Sequence, residues 1–218
     1  MFNQVKLSLS IGANDCDMSD LLSVCSDTSY ISDFDDEFHS LKIDISNGPP
    51  IDIENFNIVH YNINSVLAPG RIEELTDVCR ILKIDVLILS ESKVDQTIPT
   101  NLLTIPGYHE PLRHDREING RHGGGVLMYI GEALAFQHKS ELQSMMYEHV
   151  WADVRINDKI YAINALYRPP NESANDHQLF LQTADTILQH LSNYDKAAYK
   201  IISGDLNFGN YFCSNYKS

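Results

Sequence analysis

The chain is 218 residues long, 43% of them hydrophobic, and carries a formal net charge of −14 from 30 acidic and 16 basic side chains. That length suffices for one sizeable core, or one domain with a tail. The charge argues against a protein that coats nucleic acid through a broad basic surface, and the longest apolar runs, such as VLIL at 86–89, are far too short to span a bilayer.

The first 17 residues hold one Lys, no sustained apolar stretch and acid soon after, which is not the pattern of a signal peptide. Cys16, Cys25, Cys79 and Cys213 show no C-x-x-C spacing. Without a secretory signal they are expected to be reduced thiols in an intracellular protein of the cytoplasm or nucleus. The acidity is uneven: residues 1–55 contain 11 acids and 2 bases, and residues 56–218 contain 19 and 14. Residues 13–40 are rich in Ser and Asp without sustained periodicity, so a disordered acidic segment is expected there. A short amphipathic interaction motif around Leu21, Leu22, Val24, Tyr30 and Phe34 is the alternative. NGPP at 47–50 punctuates the boundary between this segment, 1–55, and a domain, 56–218.

From residue 56 the pattern becomes that of a folded domain. FNIVHYN (56–62) alternates as a strand does, and residues 70–83 place Ile72, Leu75, Val78, Cys79 and Leu82 on one helical stripe. IDVLILSES (84–92) is a continuous β-type run, as in a strand buried on both faces. Residues 123–130, 149–157 and 159–168 read as further strands, with Asn157-Asp158 as a tight turn between the last two. Gly123-Gly124-Gly125 reads as a turn or bulge opening its strand, and Trp151 as core. Residues 173–191 carry apolar side chains at 179, 180, 184, 187, 188 and 191, with Ser173 or Asn175 available as the helix N-cap. AAYKIIS (197–203) is the final strand. Strands and helices in this order predict a layered α/β domain with helices covering sheets. The histidines at 109, 114, 122, 138, 149, 177 and 190 are scattered, and each is expected at the surface.

Three of the apolar strands end in groups that a core cannot use: Asn62 and Asn64, then Glu91, then Asp205 and Asn207. Asp205 and Asn207, two apart in extended chain, share one face. Strands of one sheet bring such ends together, and gathered carboxylates need a cation or a shared proton. Hard oxygen donors of this kind suit Mg²⁺, which binds one or two carboxylates and keeps waters for a phosphate substrate.

HYNINS (60–65), LILSES (87–92), RHGGGVLMYI (121–130), YRPPN (167–171) and SGDLN (203–207) stand in the order typical of the endonuclease/exonuclease/phosphatase superfamily. Together they resemble the endonuclease domain of LINE-type (non-LTR) retrotransposons over roughly residues 56–210. The resemblance implies a DNase I-like fold, a two-layer β-sandwich flanked by helices. It also implies Mg²⁺, or Mn²⁺ in its place, as cofactor, DNA as substrate, and no small-molecule cofactor or membrane. Glu91 is then the principal metal ligand, with Asn62 supporting the metal site. Tyr167 contacts the scissile phosphate, Asp205 orients or deprotonates the attacking water, and Asn207 holds the phosphate. Arg168 is a further candidate phosphate contact, or a solvent-exposed strand-end arginine.

Complete members of that superfamily continue to a terminal Ser-Asp-His block, whereas residues 208–218 contain no His and no acid. The domain is therefore expected to be incomplete at its C-terminus, with an unpaired sheet edge and impaired activity. The expected function is Mg²⁺-dependent nicking of DNA. A non-catalytic retrotransposon-derived remnant or binding module, or another metal phosphodiesterase or phosphatase of the superfamily, is the alternative.

Overall fold

A computed structural model describes residues 5–7, 10–11, 56–115, 124–143, 147–156, 158–170, 174–194, 197 and 199–207. The acidic stretch 13–40 with its candidate interaction motif, NGPP, Gly123, Asn157, Ser173, residues 208–218 and three of the four cysteines lie outside the described residues.

The run that opens the domain forms β3 (Ile58–Asn62), and the amphipathic stripe after it forms α1 (Arg71–Leu82). Glu73 and Glu74 in the first turn and Arg80 in the last complement the helix dipole. At the C-terminus Lys83 turns left-handed, and its N–H bonds the Cys79 carbonyl. The continuous apolar run is β4 (Val86–Ser90), buried at every position and parallel to β3. β5 (Leu112–His114) and β6 (Val126–Ile130) add antiparallel neighbours. β7 (Ala135–His138), β8 (His149–Ile156) and β9 (Lys159–Tyr167) form a meander. α2 (Ala174–Asn193) then crosses to β10 (Tyr199–Asp205), which runs parallel to β9.

The strands make two five-stranded sheets. Two short N-terminal strands, β1 (Val5–Leu7) and β2 (Ser10–Ile11), complete them, in the orders β1-β10-β9-β8-β7 and β2-β3-β4-β6-β5. Val86, Ile88, Val126, Met128 and Ile130 meet Val150, Ala152, Val154, Ile163 and Ala165 between the sheets. α1 lays Leu75, Val78 and Cys79 on Tyr61, Leu87, Leu89 and Tyr129, on the outer face of one sheet. α2 lays Phe180, Ile187 and Leu191 on Trp151, Ala162, Leu166 and Ile202, on the outer face of the other. The result is a β-sandwich with a helix on each outer face, in which Trp151 is core, 1% exposed. Each fully buried aliphatic side chain contributes about 1.5–3 kcal/mol, so the two helices are fixed by burial rather than by propensity.

Four features differ from the sequence reading. β5 and β7 were not anticipated: β5 is three residues long, and β7 alternates only between exposed and half-buried positions. His149 is buried rather than at the surface; its Nδ1 lies 3.3 Å from Asn164 Nδ2, and burial, helped by His114, lowers its pKa to about 4. Leu188, assigned to the apolar stripe of α2, is 47% exposed. The edges of β3 and β10 are not bare, because β2 pairs in parallel with the first (Ser10 with His60) and β1 with the second (Val5 with Lys200). Among the described residues no helix is long and apolar enough to cross a membrane.

Candidate active site at the strand ends

β3, β4, β9 and β10 finish at the same end of the sandwich, β3 running parallel to β4 in one sheet and β10 parallel to β9 in the other. In register, Asn62 stands beside Ser90 and Asp205 beside Tyr167. Gly204 makes the close approach of β10 to β9 possible: a Cβ there would lie 1.7 Å from the Leu166 carbonyl oxygen. No other residue type could precede Asp205 without moving the strand.

Asn62 joins the two sheets. Its Nδ2 donates to Glu91 Oε1 at 3.0 Å and to Asp205 Oδ2 at 2.9 Å, so one carboxamide holds both carboxylates. The Tyr167 hydroxyl donates to the same Glu91 oxygen at 3.1 Å. The Asn207 amide N–H bonds Asp205 Oδ1 at 3.2 Å, an Asx-type turn that fixes the second carboxylate, while Asn207 Nδ2 donates to the Arg168 carbonyl at 2.7 Å. Arg168 reaches back to the same turn. Its Nη1 lies 3.4 Å from the Leu206 carbonyl and 3.5 Å from that of Asn207, and its guanidinium stacks 5.0 Å over the Phe180 ring. The structure thus brings Asn62, Glu91, Tyr167, Asp205, Asn207 and Arg168 to one edge. Asn64, exposed, flanks them and accepts a bond from Lys93 Nζ.

The backbone is unusual here. Asn64 (φ 45), Ser65 (φ 92), Glu91 (φ 53), Lys93 (φ 54) and Asn207 (φ 41) are all left-handed. Such conformations cost of order 1–3 kcal/mol each and gather where surrounding structure enforces them for use. Backbone bonds supply that enforcement: Ser65 N–H to the Glu91 carbonyl at 2.8 Å, Val66 to Ser92 at 3.0 Å, and Lys93 to Gly124 at 2.9 Å. Gly124 and Gly125 are themselves left-handed (φ 86 and 87), and a Cβ on Gly125 would strike Ser92 Oγ.

Electrostatics points the same way. Burial raises the pKa of Asp205; its bonds from Asn62 and the Asn207 backbone oppose that, and the Glu91 charge adds to it. Two carboxylates sharing one amide, with like-charge repulsion unrelieved, form a site that a cation or a proton would stabilise. Among the described residues no group of three or more His, Cys, Asp or Glu that could hold a metal is found, here or elsewhere; this edge gathers two carboxylates. The donors gathered here are two carboxylates, while Asn62 Oδ1 accepts from the Asn64 N–H at 3.2 Å; a pair of hard carboxylate ligands with room for water fits a hydrated Mg²⁺ or Mn²⁺.

Sequence reasoning missed two features. Lys93 stands at the rim beside Asn64, and only its place two residues after Glu91 hints at it. His60, 1% exposed, lies between the sheets with Nε2 3.0 Å from Ser90 Oγ, and burial lowers its pKa to about 3. Its position on the inward parity of β3 is the legible signal.

No protein-family model matches the chain, and no curated protein matches it. Solved structures do. The AP endonuclease LMAP from Leishmania major superposes over 70% of this chain and 55% of its own, with 16% identity and a TM-score of 0.54. Humanized D. rerio TDP2 covers 71% and 67%, with 14% identity and a TM-score of 0.51. The endonuclease domain of TRAS1, a telomere-specific non-LTR retrotransposon, covers 70% and 59%, with 12% identity and a TM-score of 0.50. The chain therefore spans between about half and two thirds of the length of these neighbours. Paired sheets with one helix on each outer face, and these neighbours, give the chain a DNase I-like α/β fold.

Proposed function

We propose that the chain is a divalent-metal-dependent phosphodiesterase domain of the retrotransposon endonuclease type, acting on DNA. The observation that carries this reading is the single Asn62 carboxamide bonded to both Glu91 and Asp205 at the ends of parallel strands from opposite sheets. Glu91, with Asn62 beside it, would hold the cation. When bound, Mg²⁺ supplies positive charge against the negative charge that develops on a phosphate under attack.

The chain's own residues have separable tasks. Asp205, its pKa raised by burial, orients a water and takes its proton. The Tyr167 hydroxyl and the second Nδ2 hydrogen of Asn207 are the donors this edge offers to non-bridging phosphate oxygens, while both Nδ2 hydrogens of Asn62 stay on Glu91 and Asp205. Arg168 fixes the Asp205–Asn207 turn, and with Lys93 it gives the rim positive charge despite the acidic total.

Purified protein incubated with supercoiled plasmid tests the proposal. Nicking that requires Mg²⁺, stops with chelator and disappears in Glu91→Ala supports it. Inertness at high protein concentration, with the fold intact, would instead favour a non-catalytic remnant.

A further inference from the structure

We propose that His60 is a positioning residue for the site: through Ser90 it sets where Glu91 stands relative to Asn62. The inference rests on the assignment of Glu91 and Asn62 given above. His60 and Asn62 lie two apart on β3, so both face the space between the sheets. Ser90 is the last residue of β4, paired in register with Asn62 and directly followed by Glu91. The His60–Ser90 bond therefore ties the residue before one functional side chain to the residue below the other.

The surroundings make a purely structural role hard to sustain. Elsewhere in this layer the sheets meet through Val86, Ile88, Val126, Met128 and Ile130, all apolar and fully buried. An apolar pair would fit the layer at 60 and 90 equally well. Instead the chain buries an imidazole and a hydroxyl, and His60 Nδ1 has no partner. In a neutral ring one nitrogen is bonded to Ser90 and the other is left without water, which costs stability. Glu91 needs fixing, because it leaves β4 with φ 53 and its side chain must meet both Asn62 and Tyr167. Backbone bonds from Ile63 to the Ser90 carbonyl and from Ser65 to the Glu91 carbonyl hold the main chain. The Ser90 hydroxyl adds an anchor from between the sheets one residue before Glu91, beside the bonds that Asn62 and Tyr167 make to the Glu91 carboxylate itself.

The test compares the full chain with His60→Phe/Ser90→Ala, which replaces the pair by apolar groups, and with Ser90→Ala alone, which leaves the ring in place. Two readouts apply: Mn²⁺ affinity by paramagnetic resonance, and the NMR resonances of the Asn62 carboxamide protons. The double variant is expected to melt at or above the parent temperature, yet to bind Mn²⁺ about 10–100-fold more weakly and to lose the parent's Asn62 shifts. His60→Gln, able to keep a bond to Ser90, is expected to restore most of the affinity. If the double variant does not fold, Ser90→Ala carries the test in the same direction. Unchanged Mn²⁺ affinity and unchanged Asn62 resonances in either folded variant overturn the proposal. A parent that fails to nick DNA, while its Asn62 resonances respond as expected, overturns the functional reading and leaves the positioning role standing.

Discussion

Asn62 is the residue on which the site turns, because a single side-chain nitrogen satisfies carboxylate oxygens from two sheets. Asn62→Ala takes the described donor from Asp205 Oδ2 and leaves Glu91 Oε1 to Tyr167, at a cost of about 1–3 kcal/mol for the unsatisfied group. We expect its melting temperature to fall by several degrees and nicking to fall about 10²-fold or more. Asp205 behaves in the opposite sense. Its folded pKa is raised above the unfolded value, so the folded state holds the proton more tightly. The stability so gained is fully present below the unfolded carboxyl range, near pH 4, and is lost as pH rises through the folded value. Asparagine cannot ionise and still accepts the Asn62 bond. Asp205→Asn is therefore expected to melt above the parent at neutral pH in chelator, with the gap closing towards about pH 4, while nicking falls about 10²–10⁴-fold. Thermal melts across pH check the first effect and plasmid assays the second. A parent that is the more stable protein at neutral pH would reverse the assigned shift.

At the scale of elements, the strands that carry the site were legible because each is an apolar run broken abruptly by Asn, Glu or Asp. Their boundaries moved by a few residues: 84–92 became Val86–Ser90, and 197–203 became Tyr199–Asp205. α1 was legible to its stripe, since Ile72, Leu75, Val78, Cys79 and Leu82 all pack as expected. β5 and β7 carry too little alternation to stand out, and β1 and β2 are short edge strands whose pairing is backbone-made. The left-handed turn at Glu91 was not legible at all, because nothing in a glutamate announces positive φ. Two consequences can be measured. Gly204→Ala would place a Cβ against backbone of β9, not against a side chain that could rotate away, so a destabilisation of about 3 kcal/mol or more is expected in denaturant melts. Deleting residues 1–11 bares the β10 edge in one sheet and the β3 edge in the other, and light scattering should show concentration-dependent association that the parent lacks.

At the scale of the molecule, the two sheets and their covering helices act as a clamp that brings four strand ends together, and the proposed chemistry lies on that seam rather than in either sheet. This also explains why the site was more legible than the complete fold. Functional side chains sit at strand ends, where polar residues interrupt hydrophobic runs, while the edges are closed by elements from a segment whose composition reads as separate. Under the proposed function Lys93 and Arg168 meet phosphate at the rim of an acidic protein, so DNA affinity is expected to depend only modestly on salt, with a log–log slope of about −2. Lys93→Ala should reduce that slope by about 1. The most direct measurement is Mn²⁺ binding to the intact chain and to Glu91→Gln, followed by paramagnetic resonance. We expect one site in the parent that outcompetes diffuse binding to surface acids, weakened at least ~10-fold in Glu91→Gln, since a hydrated cation with few protein ligands depends on its leading carboxylate. Equal stoichiometry and equal affinity in the two proteins would show that Glu91 and Asp205 do not form a metal site.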